Sequence, residues 1–417
     1  MTATPTRIAI IGGGLAGATV ANALVHLSGL EVHIYESAPE FSERGAAIGL
    51  SSNAQLALKA VIPDAEELLQ RAGAVPMNST RIVIGSGAGA GTIIMDLAGS
   101  DPGLVLHRAS LLRELLAPLP REVLHANKKL ITVKESGSTV ELVFQDGEVE
   151  QFDAVIGADG IFSSVRRYVL QDAADKSAPS AAGFWDSRVL VPYEKARATL
   201  GDEFFEQDRQ YGWLGDNAFI MHDILENRTQ VQVVISAVED DPPKDRKRPL
   251  TREILNKTLA SWLDGPIAKG AIELTLDQED PHSYSQWEHK STPTYAHGRV
   301  CVIGDAAHAT TPWQGAGAGQ AFEDAVILGT LFGNLKSLQE IPAAFKAFDA
   351  VRRPRGQQVI DSSRGTGQLC CGQNAEVGLD PDKMRAAMGS RWAFIFALSL
   401  DQHKQDALDK FNAVRGG

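Results

Sequence analysis

The chain has 417 residues, 44% of them hydrophobic and 22% charged, with a formal net charge of −12. That length and composition favour two or three domains, or one large composite fold, with a sizeable buried core. The acidic balance argues against a nucleic-acid partner or an anionic membrane surface, and an anionic substrate would need a local basic pocket.

The three cysteines are Cys301, Cys370 and Cys371. Two are adjacent and none has metal-ligand spacing, so the expectation is no metal site and reduced thiols in a cytoplasmic protein. The opening M-T-A-T-P-T-R runs straight into a strand and predicts no signal peptide. No stretch reaches about 18 consecutive apolar residues, so no membrane association is expected.

Arg7–Ile11 reads as a short apolar strand, and Gly12, Gly14 and Gly17 then form a G-x-G-x-x-G. A helix rich in small residues follows, and a second strand, Glu31–Tyr35, ends at Glu36. This order is the dinucleotide fingerprint. Gly12 permits the tight turn, Gly14 a close pyrophosphate, and Gly17 close packing of helix on strand. The helix N-terminus offers free N–H groups to phosphate. Glu36 lies nineteen residues past Gly17, where a carboxylate can accept from a ribose hydroxyl.

Pro39–Asn53 is a loop punctuated by small residues, and Gly45, Ala46, Ala47 and Gly49 would let backbone lie against a flat ligand. Asn53 or a nearby serine is expected to cap the next helix. Arg81–Ile84 is a strand followed by G-S-G-A-G-A-G-T. Because Thr92 onward continues as a strand, this reads as a hairpin connection rather than a second phosphate loop. His107–Arg108 begins an amphipathic helix. A β-hairpin turns on Asp146–Gly147. The strand from Phe152 ends in G-A-D-G, with Asp159 and Gly160, and is followed by Ser163, Ser164 and Arg166. Strand, acidic turn and basic helix suit a cofactor-facing site.

Between 184 and 280 strand-like runs dominate: Ser187–Pro192, Phe219–Ile224 and Thr229–Ser236. Asp240–Pro249 reads as a solvated mixed-charge loop, and Thr251–Leu263 as a helix. Arg299–Ile303 returns to the α/β style, closed by Gly304 and Asp305. Pro312 then leads through G-A-G-A-G-Q into a long helix. The rest is mostly helical, with a break expected at Pro354.

Three motifs in order, G-G-G-L-A-G, G-A-D-G with Arg166, and G-D-A-A-H with G-A-G-A-G-Q-A-F-E-D-A downstream, resemble the single-component FAD-dependent aromatic hydroxylases of the para-hydroxybenzoate hydroxylase fold. Within that family, H-R-A-S-L-L-R-E-L-L and the glycine-rich run look most like the salicylate hydroxylases. The resemblance implies an α/β fold: a Rossmann-type FAD-binding domain with an inserted sheet-rich substrate domain and a helical C-terminus. The expected division is 1–183 (with part of the substrate region within 70–100) and 286–370 for the FAD-binding domain, 184–285 for the substrate domain, and 371–417 for C-terminal helices.

The implied activity is hydroxylation of a phenolic acid with O2 and NADH or NADPH, salicylate giving catechol and CO2, by a monomer or homodimer. A larger phenol of secondary metabolism and a non-catalytic dinucleotide-binding protein are the other readings. By resemblance, Glu36 would hold the adenosine ribose and Arg108 would contact FAD near the pyrophosphate and flavin. Asp159 would lie between flavin and nicotinamide regions, and Asp305 would accept from the ribityl chain. Gly315, Gly317 and Ala318 would place N–H groups near the flavin O2 and N1 side.

Three residues are candidates for the substrate pocket. Arg188 reads either as an anchor for a carboxylate or phenolate or as a strand-surface charge. His222 reads either as a base or as a satisfied sheet histidine. Trp313 stands where the bacterial salicylate hydroxylases tend to have histidine; it cannot be a base, but it can stack on a substrate ring. His308 reads as structural.

Overall fold

The computed structural model describes residues 5–42, 47–77, 80–96 and 103–415, so Gly45 and Ala46 lie outside the described residues. The chain opens with β1 (Thr6–Ile11), α1 (Leu15–Leu24) and β2 (Leu30–Tyr35). Ile8, Ala9 and Ile10 are wholly buried, as a central strand covered on both faces requires. A Cβ at Gly17 would lie 2.0 Å from the Gly12 carbonyl oxygen, and Gly12 has φ +108°. The fingerprint glycines therefore meet a steric demand within the protein itself.

Next come β3 (Ala47–Leu50), α2 (Ser52–Val61), α3 (Ala65–Arg71), β4 (Val75–Met77), β5 (Thr80–Ile84), β6 (Ile93–Asp96), β7 (Gly103–His107) and α4 (Arg108–Leu116). β5 and β6 pair antiparallel across the glycine-rich connection, as expected. Neither Ser51 nor Asn53 caps α2; the Ser51 hydroxyl donates to Asn53 Oδ1 instead. β8 (Leu124–His125) precedes the meander β9 (Leu130–Ser136), β10 (Thr139–Phe144) and β11 (Val149–Phe152), then β12 (Ala154–Gly157) and α5 (Ser164–Leu170).

The sheet-rich region comprises β13 (Ser180–Pro192), α6 (Tyr193–Leu200), β14 (Gln210–Gly215), β15 (Ala218–Leu225), β16 (Gln230–Val238), β17 (Lys247–Pro249), α7 (Arg252–Thr258), α8 (Ala268–Leu276) and β18 (His282–Glu288). β17 corrects the expected 240–249 loop: its end is an edge strand on β18, and Arg248 pairs with the buried Glu239 at 2.9 Å. The chain returns through β19 (Ala296–His297), β20 (Val300–Val302), α9 (Asp305–His308) and α10 (Gly317–Phe332). It ends in α11 (Ile341–Cys370), α12 (Pro381–Met388), α13 (Ala393–Phe396) and α14 (Leu400–Arg415).

Two sheets organise these elements. One has six strands in the order β19-β20-β12-β1-β2-β8, parallel except at β19. The other has eight, β17-β18-β13-β16-β15-β14-β5-β6, and so draws β5 and β6 from the first segment.

α11 runs unbroken through Pro354, against expectation. A mid-helix proline costs about 3 kcal/mol, but Arg352 and Arg355 on either side are both buried and bonded to α10, which offsets it. No described helix is long and apolar enough to cross a membrane.

Candidate cofactor and substrate site

The nucleotide side is built from the strand ends of the six-stranded sheet. Glu36 follows β2 and accepts from the Gly13 N–H and the Ala38 N–H, each at 2.8 Å. Its carboxylate therefore lies on the glycine loop. Phe41 covers the same loop: a Cβ at Gly13 would be 2.4 Å from its ring. A cleft of about 730 Å³ opens beside this point, lined by Phe41, His107, Ser110, Arg113, Arg121 and Leu124 among others.

The middle and last motifs interlock. Asp159 is largely consumed by its own turn. It accepts from the Ser163 hydroxyl, the Ser164 N–H (2.8 Å) and hydroxyl (3.0 Å), and the Val165 N–H (3.3 Å). Gly160, at φ +75°, borders open space. Arg166 turns inward rather than toward a cofactor: Nη1 donates to the Ala306 and Ala307 carbonyls at 3.2 and 3.0 Å, and Nη2 to Thr292 Oγ1 at 2.8 Å. These partners are neutral, and burial pulls it down to about 10. Its work is to hold the short helix that begins with the solvent-exposed Asp305.

Gly304, just before Asp305, has φ +55°, and a Cβ there would meet Ala16 of α1 at 2.7 Å. Its N–H donates to Asp324 Oδ2 (2.9 Å), which also receives His308 Nε2 (2.7 Å). His308 is thus structural. Asp324 and Glu323, buried on α10, are balanced by Arg352 and Arg355: Arg352 reaches Asp324 Oδ1 at 2.7 Å and Glu323 Oε2 at 2.6 Å, and Arg355 bonds Glu323. Although burial opposes ionisation, Arg352 and Arg355 hold Glu323, and His308 with Arg352 hold Asp324, below the usual carboxylate range. The C-terminal segment closes this cage, with His403 at 3.2 Å from Arg352 and the Phe394 and Ile395 carbonyls accepting from Arg355.

In front of the cage lies the turn Pro312–Gly315. Gly315 is left-handed (φ +61°), as the αL position at this helix end favours. Cβ atoms at Gly315 and at Gly49 would meet nothing within 4 Å. Gly317, the first residue of α10, has only Thr310 at 3.9 Å, with Ala318 next to it half-buried. Ala47 and Gly49 run along β3, facing β7, which leads into the half-buried Arg108 at the start of α4. A flat-ring dinucleotide fits these residues: a glycine loop at a helix N-terminus, carboxylates at Glu36 and Asp305, and open glycine surfaces at Gly49 and Gly315.

The eight-stranded sheet supplies the other wall, and its two faces differ. Trp185, Val189, Val191, Tyr211, Trp213, Ile220, Ile224, Val231, Val233 and Ile235 pack against the α6–α8 layer. His222 has this parity. It stacks on Tyr211 (4.9 Å) and Phe205 (5.6 Å), both ring nitrogens lack a hydrogen-bond partner among the described residues, and burial drives it down to about 3. The structure thus turns His222 away from the cleft, as a neutral core ring.

The alternate residues face the cofactor side. Phe184 and Phe219 meet the Trp313 indole edge-on at 5.1 and 5.5 Å. Trp313 is itself pressed on α11, where a Cβ at Gly367 would lie 2.4 Å from its Nε1. Arg188 shares this face, with 34% of its side chain exposed, and is held by Asp186 Oδ2 at 2.8 Å. Arg188 and Trp313 thus stand on the same side of this sheet.

Sequence reading missed Asp223, the neighbour of His222. It is buried on the cleft face and accepts from Gln210 Nε2 (2.9 Å) and Gln232 Nε2 (3.2 Å). Burial pushes it up to about 6, against the pull of those amides and of Arg188. Alternation in Q-V-Q-V-V-I was the available signal: it puts Gln232 opposite the core-facing Val231 and Val233, and β15 pairs Asp223 with it.

Comparison with known proteins bears on this arrangement. A family described as FAD binding domain matches residues 110–363. The chain is 33% identical, over 97% of its length and 92% of the relative's, to a protein of Aspergillus terreus named 6-methylsalicylate 1-monooxygenase. It is 30% identical to a salicylate hydroxylase of Pseudomonas putida, over 99% of this chain and 96% of that one. A solved salicylate hydroxylase substrate complex superposes with a TM-score of 0.83 at 26% identity, covering 97% and 98% of the two chains.

Proposed function

The chain belongs to the family with this FAD binding domain and is an FAD-dependent aromatic monooxygenase; on that premise we propose which phenolic acid it takes and which residues handle it. The substrate is a salicylate bearing an alkyl substituent, of which 6-methylsalicylate, in the name of the A. terreus relative, is the type. The observation that carries this is the aromatic wall of Trp313, Phe184 and Phe219 on the same side of the sheet as the part-exposed cation Arg188. That wall suits an apolar ring substituent; Arg188 suits the carboxylate or phenolate. Unsubstituted salicylate, with release of CO2 to give catechol, is the second reading, supported by the P. putida relative.

Bound FAD supplies the redox chemistry, taking electrons from NADH or NADPH and activating O2. The chain's residues do the rest. Glu36 and Asp305 accept from the ribose and ribityl hydroxyls. Gly12, Gly14 and Gly17 admit the pyrophosphate, Arg108 contacts FAD near the pyrophosphate and flavin, and Asp159 lies between the flavin and nicotinamide regions. Gly315, Gly317 and Ala318 present backbone N–H groups to the electron-rich edge of the ring. Ala47 and Gly49 lie against its face. Arg188 orients the substrate and favours its phenolate form. The domain division given above and a cytoplasmic location, in keeping with three buried free cysteines, belong to this reading.

The test is direct. Purified protein should be yellow, and NADH or NADPH consumption should rise with 6-methylsalicylate more than with salicylate, product being scored by mass. Glu36→Ala and Asp305→Ala should each weaken FAD binding by about 1.5–3 kcal/mol. Colourless protein that takes up no FAD, or oxidation that yields only peroxide across a panel of phenolic acids, would overturn it.

A further inference from the structure

The Asp223 cluster crosses between the two walls of the site. Gln232 spends its two amide ends on different elements: Nε2 donates to Asp223 on the neighbouring strand, and Oε1 accepts the Ala47 N–H of β3 at 3.0 Å. An amide can be turned end for end, and nothing in its own shape selects one orientation. The selector is Asp223. An ionised carboxylate only accepts, so it draws the NH2 end of Gln232 toward itself and leaves the carbonyl end for Ala47. Gln210 donates to the other carboxylate oxygen, so both oxygens are committed. Leu190, Leu225, Ala47 and Val105 pack around the junction, leaving little room for another arrangement.

We propose that Asp223 is a positioning residue that, by fixing the direction of the Gln232 amide, ties the substrate sheet to β3 and thereby sets the FAD cradle at Ala47–Gly49. This rests on the reading of Ala47 and Gly49 as flavin-facing. The physical content is a polarity rule. Acceptor at 223, amide at 232 and donor at Ala47 form one consistent chain of donors and acceptors, and it has a mirror solution. When Asp223→Asn is combined with Gln232→Glu, the new carboxylate accepts from both the new amide NH2 and the Ala47 N–H, while the new amide carbonyl accepts from Gln210. Each single change disturbs the chain: Asp223→Asn leaves one acceptor oxygen where Gln210 and Gln232 both present NH2 groups, so one of the two bonds is lost or its amide must turn, and Gln232→Glu sets carboxylate against carboxylate.

The experiment titrates the apoprotein with FAD at pH 8, follows flavin fluorescence, and records the visible spectrum of each holoprotein. Asp223→Asn, nearly the same size as the wild-type residue, should weaken FAD binding about tenfold, the scale of one charge-assisted hydrogen bond. Gln232→Glu should weaken it further, and the double variant should return to within about threefold of wild type with a wild-type spectrum. A purely space-filling role predicts that Asp223→Asn is silent and that the double variant is no better than Gln232→Glu; either result overturns the proposal. If wild type itself binds no FAD, the cofactor assignment fails instead, and the two failures stay distinct.

Discussion

The two faces of the eight-stranded sheet are made from the same strands, one residue out of step, and they could hardly be less alike. One is a dry aromatic layer in which burial keeps a histidine neutral. The other carries Arg188, Asp186 and Asp223 among half-exposed apolar groups. Strand parity, rather than residue type, therefore decides which titratable group can meet a ligand. His222 and Asp223 are adjacent in sequence, and a one-residue slip would exchange their roles.

The largest effect that should separate the faces is Trp262→Ala. This indole is fully buried, filling the space left by Gly85 and Gly215, where Cβ atoms would stand 2.3 and 2.2 Å from it. Truncation should cost about 3–5 kcal/mol in denaturant unfolding, while the folded fraction keeps its FAD affinity and its substrate KM. A large change in either constant would mean the faces are not independent.

Arg188→Lys comes next. The ammonium loses the planar paired donors, so KM for the best phenolic acid should rise about tenfold or more with flavin content unchanged. Lysine kinetics equal to wild type would remove Arg188 from the pocket.

The smallest effect is expected from His222→Phe: kcat/KM should be unchanged between pH 6 and 8. Its signature lies in stability. The folded histidine stays neutral down to about pH 3 while the unfolded one binds a proton below about 6.5. Stability therefore falls with acid between those values, by up to about 1.4 kcal/mol per pH unit. The phenylalanine variant should unfold less steeply with acid over that window. Equal acid sensitivity would mean His222 is charged in the fold.

The nucleotide half of the site was legible in the sequence because its requirements are local. Gly12, Gly304 and Gly315 stand at positive φ, and Gly17 where backbone touches backbone, so each leaves a mark on its own position. The substrate wall was not. In F-I-M-H-D-I the residues on both faces are mostly apolar, Phe219 and Met221 on one and Ile220 and Ile224 on the other, so the polar–apolar alternation that would reveal parity is absent, and only the pairing with β16 separates His222 from Asp223. Pro354 misled for a similar reason: the compensation for its lost hydrogen bond lies about thirty residues upstream, on α10.

The charge cage behind the flavin turn has a further meaning in time. Glu323 and Asp324 leave the ribosome well before Arg352 and Arg355, and about eighty residues before His403, which closes the set. Until the C-terminal segment has emerged, Arg352 lacks its contact with His403, and Gln314 in the turn before Gly315 lacks its bonds to the Arg391 carbonyl and the Trp392 indole. On the proposed FAD site, capture of the cofactor is expected to wait for the end of the chain although the fingerprint stands at its beginning. Chains stalled with residue 390 at the tunnel exit should retain no flavin, and flavin held by such chains would show that the turn is set without its closing helix.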